Sequence, residues 1–213
     1  MEKLKKEIPF LAIALIPFVY LIYIWNRLPE KVPMHWNGAG EIDRYGDKKE
    51  LVVMLFMLVG ITYIIFLVIP FIDPKQKLQN MGNKLNNLRM ILTLFMSGLA
   101  VFILYSVQQK SSNPGFVFAI IGLLFAFLGN YFKTIKPNYF IGIKTPWTLE
   151  NEEVWKKTHL MGGKLWFVGG LLMAMTFVLP NEIQLYTFLG ITAVISIVPI
   201  VYSYLEFKKI KNQ

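Results

Sequence analysis

Long apolar runs separated by short mixed segments dominate the chain. Six of them, at about residues 8–25, 51–72, 90–107, 115–132, 160–179 and 183–205, are long enough to span a bilayer. Only the fifth holds a charged residue, Lys164, near its start, where a long side chain snorkels to the interface. A hydrocarbon core about 30 Å thick needs roughly 20 apolar residues per helix. The pattern therefore predicts an all-α polytopic integral membrane protein with six transmembrane helices. Lys3, Lys5 and Lys6 precede the first span as they would in a signal peptide, but no small-residue cleavage site follows Trp25, so a retained helix is expected.

Composition supports this class. Of the 213 residues 55% are hydrophobic and 16% charged, against about 25% charged in soluble domains, leaving too little polar residue to coat a water-exposed surface. The net charge of +9 would suggest nucleic acid in a soluble protein. In a membrane protein it reports orientation. With six spans, the segments on the side of the termini carry 16 basic and 7 acidic residues, and the opposite segments 6 and 6. The positive-inside rule then puts both termini in the cytoplasm and accounts for the whole excess, so no direct nucleic-acid partner is expected. There is no cysteine, which excludes disulfides and thiolate chemistry.

Residues 108–114 and 180–182 are short connections, predicting antiparallel hairpins of spans 3 and 4 and of spans 5 and 6. The outer segment 26–50 and the inner segment 133–163 are longer than a connection requires, and function is sought there. Outside, LPEKVPMHWNGAGEIDRYGDKK has prolines that stop helix, glycines that permit a tight turn, and aromatic Trp36 and Tyr45 suited to the interface. A compact folded loop is expected. His35, Asn37, Glu41 and Asp43 include N and O donors of the kind that hold a divalent cation, making His35, Glu41 and Asp43 metal candidates. The stronger expectation is a salt-bridged loop with turn-forming Asn37 and Asp43 and no metal or other cofactor.

Inside, KPNYFIGIKTPWTLENEEVWKKTH divides at Pro146. Its first half suits an extended or turning segment. The second half gathers helix-start signals: Thr145 as cap with Pro146 at the first position, or Thr148 as cap, then Glu150, Glu152 and Glu153. Glu152 and Lys156, and Glu153 and Lys157, fall at i, i+4. A short cytoplasmic helix leading into span 5 is expected, with Trp155 and His159 on one face. The chain has no HExxH, GxSxG or phosphate-binding glycine loop, and no catalytic role is expected. No ionisable residue falls at mid-span and no internal repeat is visible, so the usual marks of an ion-coupled transporter are missing. A transporter or lipid-handling protein stays open as an alternative built around Asn130, as does a membrane metalloenzyme. Gly170 and Ala174 form a small-xxx-small step suited to helix contact.

The inner stretch, continued by Gly162 and Gly163, resembles the signature of the SdpI family of bacterial membrane proteins. The outer stretch resembles an uncharacterised domain often found N-terminal to it. The resemblance implies a two-span unit at 1–72 with extracytoplasmic loop 26–50, and an SdpI-like four-span unit at 73–213 with cytoplasmic loop 133–163. It also implies a plasma-membrane immunity protein against a secreted peptide toxin that holds a cytoplasmic repressor at the membrane, its other partner being lipid. Matching positions make Lys136, Pro137, Asn138, Gly142, Lys144, Thr145, Pro146, Trp147, Thr148, Val154, Trp155, Thr158 and His159 the signature residues. Lys144 stands where the family is expected to carry arginine, which keeps the charge but loses bidentate geometry. His35, Trp36, Asn37 and Asp43 are the toxin-facing candidates.

Overall fold

A computed structural model describes residues 2–37, 41–73, 77–78, 81–109 and 114–212. Among these, six helices are long and apolar enough to cross a membrane: Lys5–Arg27, Glu50–Ile72, Asn83–Gln109, Gly115–Phe132, Glu152–Val178 and Asn181–Lys211. The chain is a multi-pass helical membrane protein, as the hydrophobic runs predict. Expected turn residues Gly38 and Gly40, and most of the connection at 108–114, lie outside the described residues.

Two compact units are formed, residues 1–71 with 86–114, and residues 72–85 with 115–213. Compactness thus groups residues 86–114 with the first two spans, whereas the boundary at 72/73 expected from the resemblance divides sequence units.

In the first unit, α1 (Glu2–Ile24) closes in a 3₁₀ turn at Trp25–Arg27. The second span comprises α2 (Glu50–Leu55), a π turn (Phe56–Gly60) and α3 (Ile61–Ile72). The third is α4 (Asn83–Gln109). Leu21, Ile24, Leu51, Leu55, Val59, Ala100, Leu104 and Val107 form one buried apolar cluster. Leu28 and Val32 join it from the outer segment, which is not purely irregular. Strands β1 (Lys31–Trp36) and β2 (Ile42–Asp47) pair antiparallel, with register shifts around His35. The all-α expectation gains this one two-stranded hairpin.

In the second unit, α5 (Pro114–Phe132), α7 (Glu152–Met175) and α8 (Asn181–Lys211) are the spans, and α6 (Pro146–Glu150) is a short inner helix. The approach of α5 to α7 is backbone to backbone. A methyl group added at Gly122 would run into the Ala174 amide nitrogen, one at Gly129 into that of Phe167, and one at Gly170 into that of Ala126. The small-xxx-small step at Gly170 and Ala174 is thus a helix contact, and its partner surface is Gly122, Ala126 and Gly129. Between apolar helices in lipid such close packing replaces the hydrophobic drive available in water. Pro199 interrupts α8 and has no N–H to give the Ile195 carbonyl. Trp166 Nε1 donates to that carbonyl at 2.8 Å, satisfying a group that lipid cannot. The Trp166 ring stacks on Phe125 at 4.6 Å.

Candidate functional site: the signature loop and the hairpin

The 133–163 loop is a folded structure held by its own signature residues. α5 ends at Phe132 in a turn closed by the Thr134 and Ile135 amides, and beyond Pro137 the side chain of Asn138 organises the next turn. Its Oδ1 accepts from the amides of Phe140 (2.8 Å) and Ile141 (2.7 Å), and its Nδ2 donates to the carbonyls of Lys136 (2.8 Å) and Ile141 (3.0 Å). All four hydrogen-bonding positions of this buried amide are used, which no other residue of similar size would reproduce. Lys144 Nζ donates to the carbonyls of Tyr139 (3.3 Å) and Phe140 (3.1 Å). Two diverging carbonyls suit an ammonium without requiring a planar fork.

Thr145 and Thr148 act together. Thr145 Oγ1 accepts from the Thr148 amide at 3.2 Å, and Thr148 Oγ1 accepts from the Thr145 amide at 2.9 Å, a reciprocal cap with Pro146 at the first helical position. The sequence offered the two threonines as alternatives; Thr145 is the cap and Thr148 its partner. Thr148 Oγ1 also donates to the Ile143 carbonyl at 2.9 Å. α6 ends at once, and Asn151, unmarked in the sequence reading, caps α7 by accepting from the amides of Glu153 and Val154 at 2.9 and 3.1 Å. The expected helix leading into span 5 is therefore broken at Asn151: its first turn is α6, and the rest, from Glu152, is continuous with span 5 as α7.

The first turns of α7 then lock the loop. Trp155 is buried, and its Nε1 donates to the Ile135 carbonyl at 2.9 Å. One turn on, His159 stacks on Trp155 with ring centroids 4.1 Å apart. His159 Nδ1 lies 2.9 Å from the Trp155 carbonyl, which only accepts, and Nε2 lies 2.9 Å from the Ile143 amide, which only donates. The ring is thereby fixed as the neutral Nδ1–H tautomer. Gly142 sits at φ +115°, and an added methyl group would collide with His159 Nε2. Trp155 and His159 share one helical face, as predicted.

α8 completes this site. Thr145 Oγ1 lies 3.1 Å from Ser203 Oγ, the Trp147 ring contacts Tyr204 at 5.1 Å, and Glu206 pairs with Lys157 (3.2 Å) and Lys209 (2.7 Å). The expected Glu153 and Lys157 pair forms at 2.9 Å. Ser203 and Tyr204 lie in a run that reads simply as span 6, and Glu206, just beyond it, reads only as one of the seven acidic residues on the side of the termini. Asn138, Thr145, Thr148, Val154, Trp155, Thr158 and His159 are buried, whereas Lys136, Lys144 and Pro146 are exposed and Pro137, Gly142 and Trp147 are partly covered.

The hairpin of the first unit places His35 Nδ1 2.6 Å from Asp43 Oδ1 across the strands. Glu41 is engaged elsewhere: its amide donates to Asn37 Oδ1 at 2.9 Å and its carboxylate accepts from Asn37 Nδ2 at 3.0 Å. Among the described residues no three His, Cys, Asp or Glu gather to hold a metal ion. Arg44 pairs with Glu50 (3.0 Å) and Lys48 with Glu30 (2.8 Å). Trp36 is half-buried in β1. At the end of this unit bearing the N-terminus, Arg89 holds Glu7 through both terminal nitrogens, and Tyr63 donates to the same carboxylate at 3.3 Å. Glu7 and Arg89 are 82 residues apart in sequence, and no local pattern joins them. Asn130 is exposed at the end of α5 and accepts from Lys133 at 3.0 Å.

Comparison with known proteins adds a lineage to this geometry. Immunity protein SdpI of Bacillus subtilis (strain 168) is 25% identical over 209 residues, covering 98% of this chain and 99% of that one. An uncharacterized protein of Archaeoglobus fulgidus is 41% identical over 44 residues, 21% of this chain and 24% of that one. No solved structure matches. Residues 12–61 match the model of a domain of unknown function, DUF1648, and span α1, the hairpin and the start of the second span. Residues 134–203, from the Asn138 turn to the Ser203 contact, match the model of the SdpI/YfhL protein family.

Proposed function

We propose that the chain is a bacterial plasma-membrane immunity protein that protects its host from a secreted peptide toxin. The observation that carries this reading is the end-to-end similarity to Immunity protein SdpI, which includes both folded loops. Both termini face the cytoplasm, so the hairpin with His35, Trp36, Asn37 and Asp43 meets the peptide outside. The role needs no catalysis, in keeping with Asn138, Thr145, Thr148, Trp155 and His159, whose side chains hydrogen-bond within the loop and its neighbouring helices. Inside, the exposed part of the loop, Lys136, Lys144, Pro146 and Lys156, offers a basic surface to an acidic cytoplasmic partner such as a repressor. Buried Trp155 and His159 serve that surface by holding its shape. The test is survival of a peptide-sensitive strain expressing the chain, challenged with the peptide secreted by the cells that carry this gene. Protection relative to empty vector is expected; unchanged killing at confirmed membrane abundance contradicts the reading.

A further inference from the structure

Arg89, Thr93 and Ser97 recur at i, i+4 and i+8 on the face of α4 that continues into Ala100, Leu104 and Val107 of the apolar cluster. They are 6%, 2% and 3% exposed, and Arg89 Nε, Thr93 Oγ1 and Ser97 Oγ have no hydrogen-bond partner within the protein. A helical Ser or Thr ordinarily bonds back to its own carbonyls, as Thr62 does to Leu58 and Thr192 to Phe188. Thr93 and Ser97 do not. Three unpaired donors in a row are costly in lipid-embedded protein unless something polar reaches them. The row begins at Arg89, whose partner Glu7 is 31% exposed, and it ends where the face turns apolar at Ala100. The helical rise makes it about 12 Å long. The neighbouring second span carries the π turn at Phe56–Gly60, a distortion associated with functional positions in helices.

We propose that the half of this three-span unit nearest the N-terminus encloses a hydrated recess, opening beside the Glu7 and Arg89 pair and ending blind at Ser97, whose ligand is exchangeable water. Two or three waters along α4 satisfy Arg89 Nε–H and the two hydroxyls, and the Ala100, Leu104 and Val107 layer seals the recess from the hairpin end. The Glu7 carboxylate forms its rim. This inference is independent of the immunity reading.

The natural absence of cysteine allows a direct test on the full chain in membrane vesicles of each orientation. Single variants Thr93→Cys, Ser97→Cys, Ala100→Cys and Leu104→Cys are treated with a small anionic, membrane-impermeant methanethiosulfonate, which reacts with a thiolate and so needs water at the sulfur. Lys5→Cys marks the side of the N-terminus. Modification of Thr93→Cys and Ser97→Cys at least about tenfold faster than the two deeper variants, from the side that modifies Lys5→Cys, is expected. Rates as low as at Ala100→Cys, or reaction only from the opposite side, overturn the proposal. If Ser97→Cys fails to accumulate, Thr93→Cys decides.

Discussion

At the scale of single residues, the inner signature works as a set of internal fastenings. Asn138→Ala strips two backbone amides and two carbonyls of their partner at once, and at about 1 kcal/mol net per hydrogen bond it should cost about 2–4 kcal/mol. Asn138→Asp keeps the acceptor for Phe140 and Ile141 but loses both donations, and should fall between wild type and alanine in detergent-solubilised thermal unfolding. Gly142→Ala combines a positive φ with a collision at His159 and should cost about 1–3 kcal/mol. His159→Ala removes the obstacle but orphans the Ile143 amide, so the double variant should be less destabilised than the sum of the two; strict additivity would show that the two residues do not meet. Trp155→Ala should lose about 3–5 kcal/mol through its cavity, so a lost phenotype in that variant reports folding before signalling.

At the scale of elements, the spans were legible because one uncompensated charge in a bilayer core is expensive enough to exclude charge from long runs. Their contacts were only partly legible. Gly170 and Ala174 announced a close approach, but the partner face of α5 did not announce itself, since scattered glycines are common in membrane helices. Gly170→Val should therefore separate α5 from α7 and abolish the folded species in size-exclusion profiles, whereas Gly98→Ala, with nothing near its added methyl group, should be neutral. The hairpin hid its strands because Pro33 lies inside β1 and the register slips beside His35. The Thr145 cap was readable because Thr followed by Pro is a local signal. The Glu7 and Arg89 pair, 82 residues apart in sequence, was not.

At the scale of the whole molecule, the proposed orientation with both termini in the cytoplasm assigns the hairpin to the outside and the signature loop to the inside. The hairpin segment pairs charges such as Arg44 with Glu50, while the signature loop leaves lysines such as Lys136 and Lys156 exposed. On that proposal the asymmetry follows the positive-inside rule, and a peptide outside and a cytoplasmic partner inside would meet chemically different surfaces. The central claim is therefore sidedness, and single cysteines in a chain that has none test it most directly. In intact cells, an impermeant thiol reagent should modify Tyr45→Cys on the exposed face of β2 and leave Lys156→Cys on α7 untouched, with the pattern reversed in inverted vesicles. Modification of Lys156→Cys from outside intact cells would contradict the account.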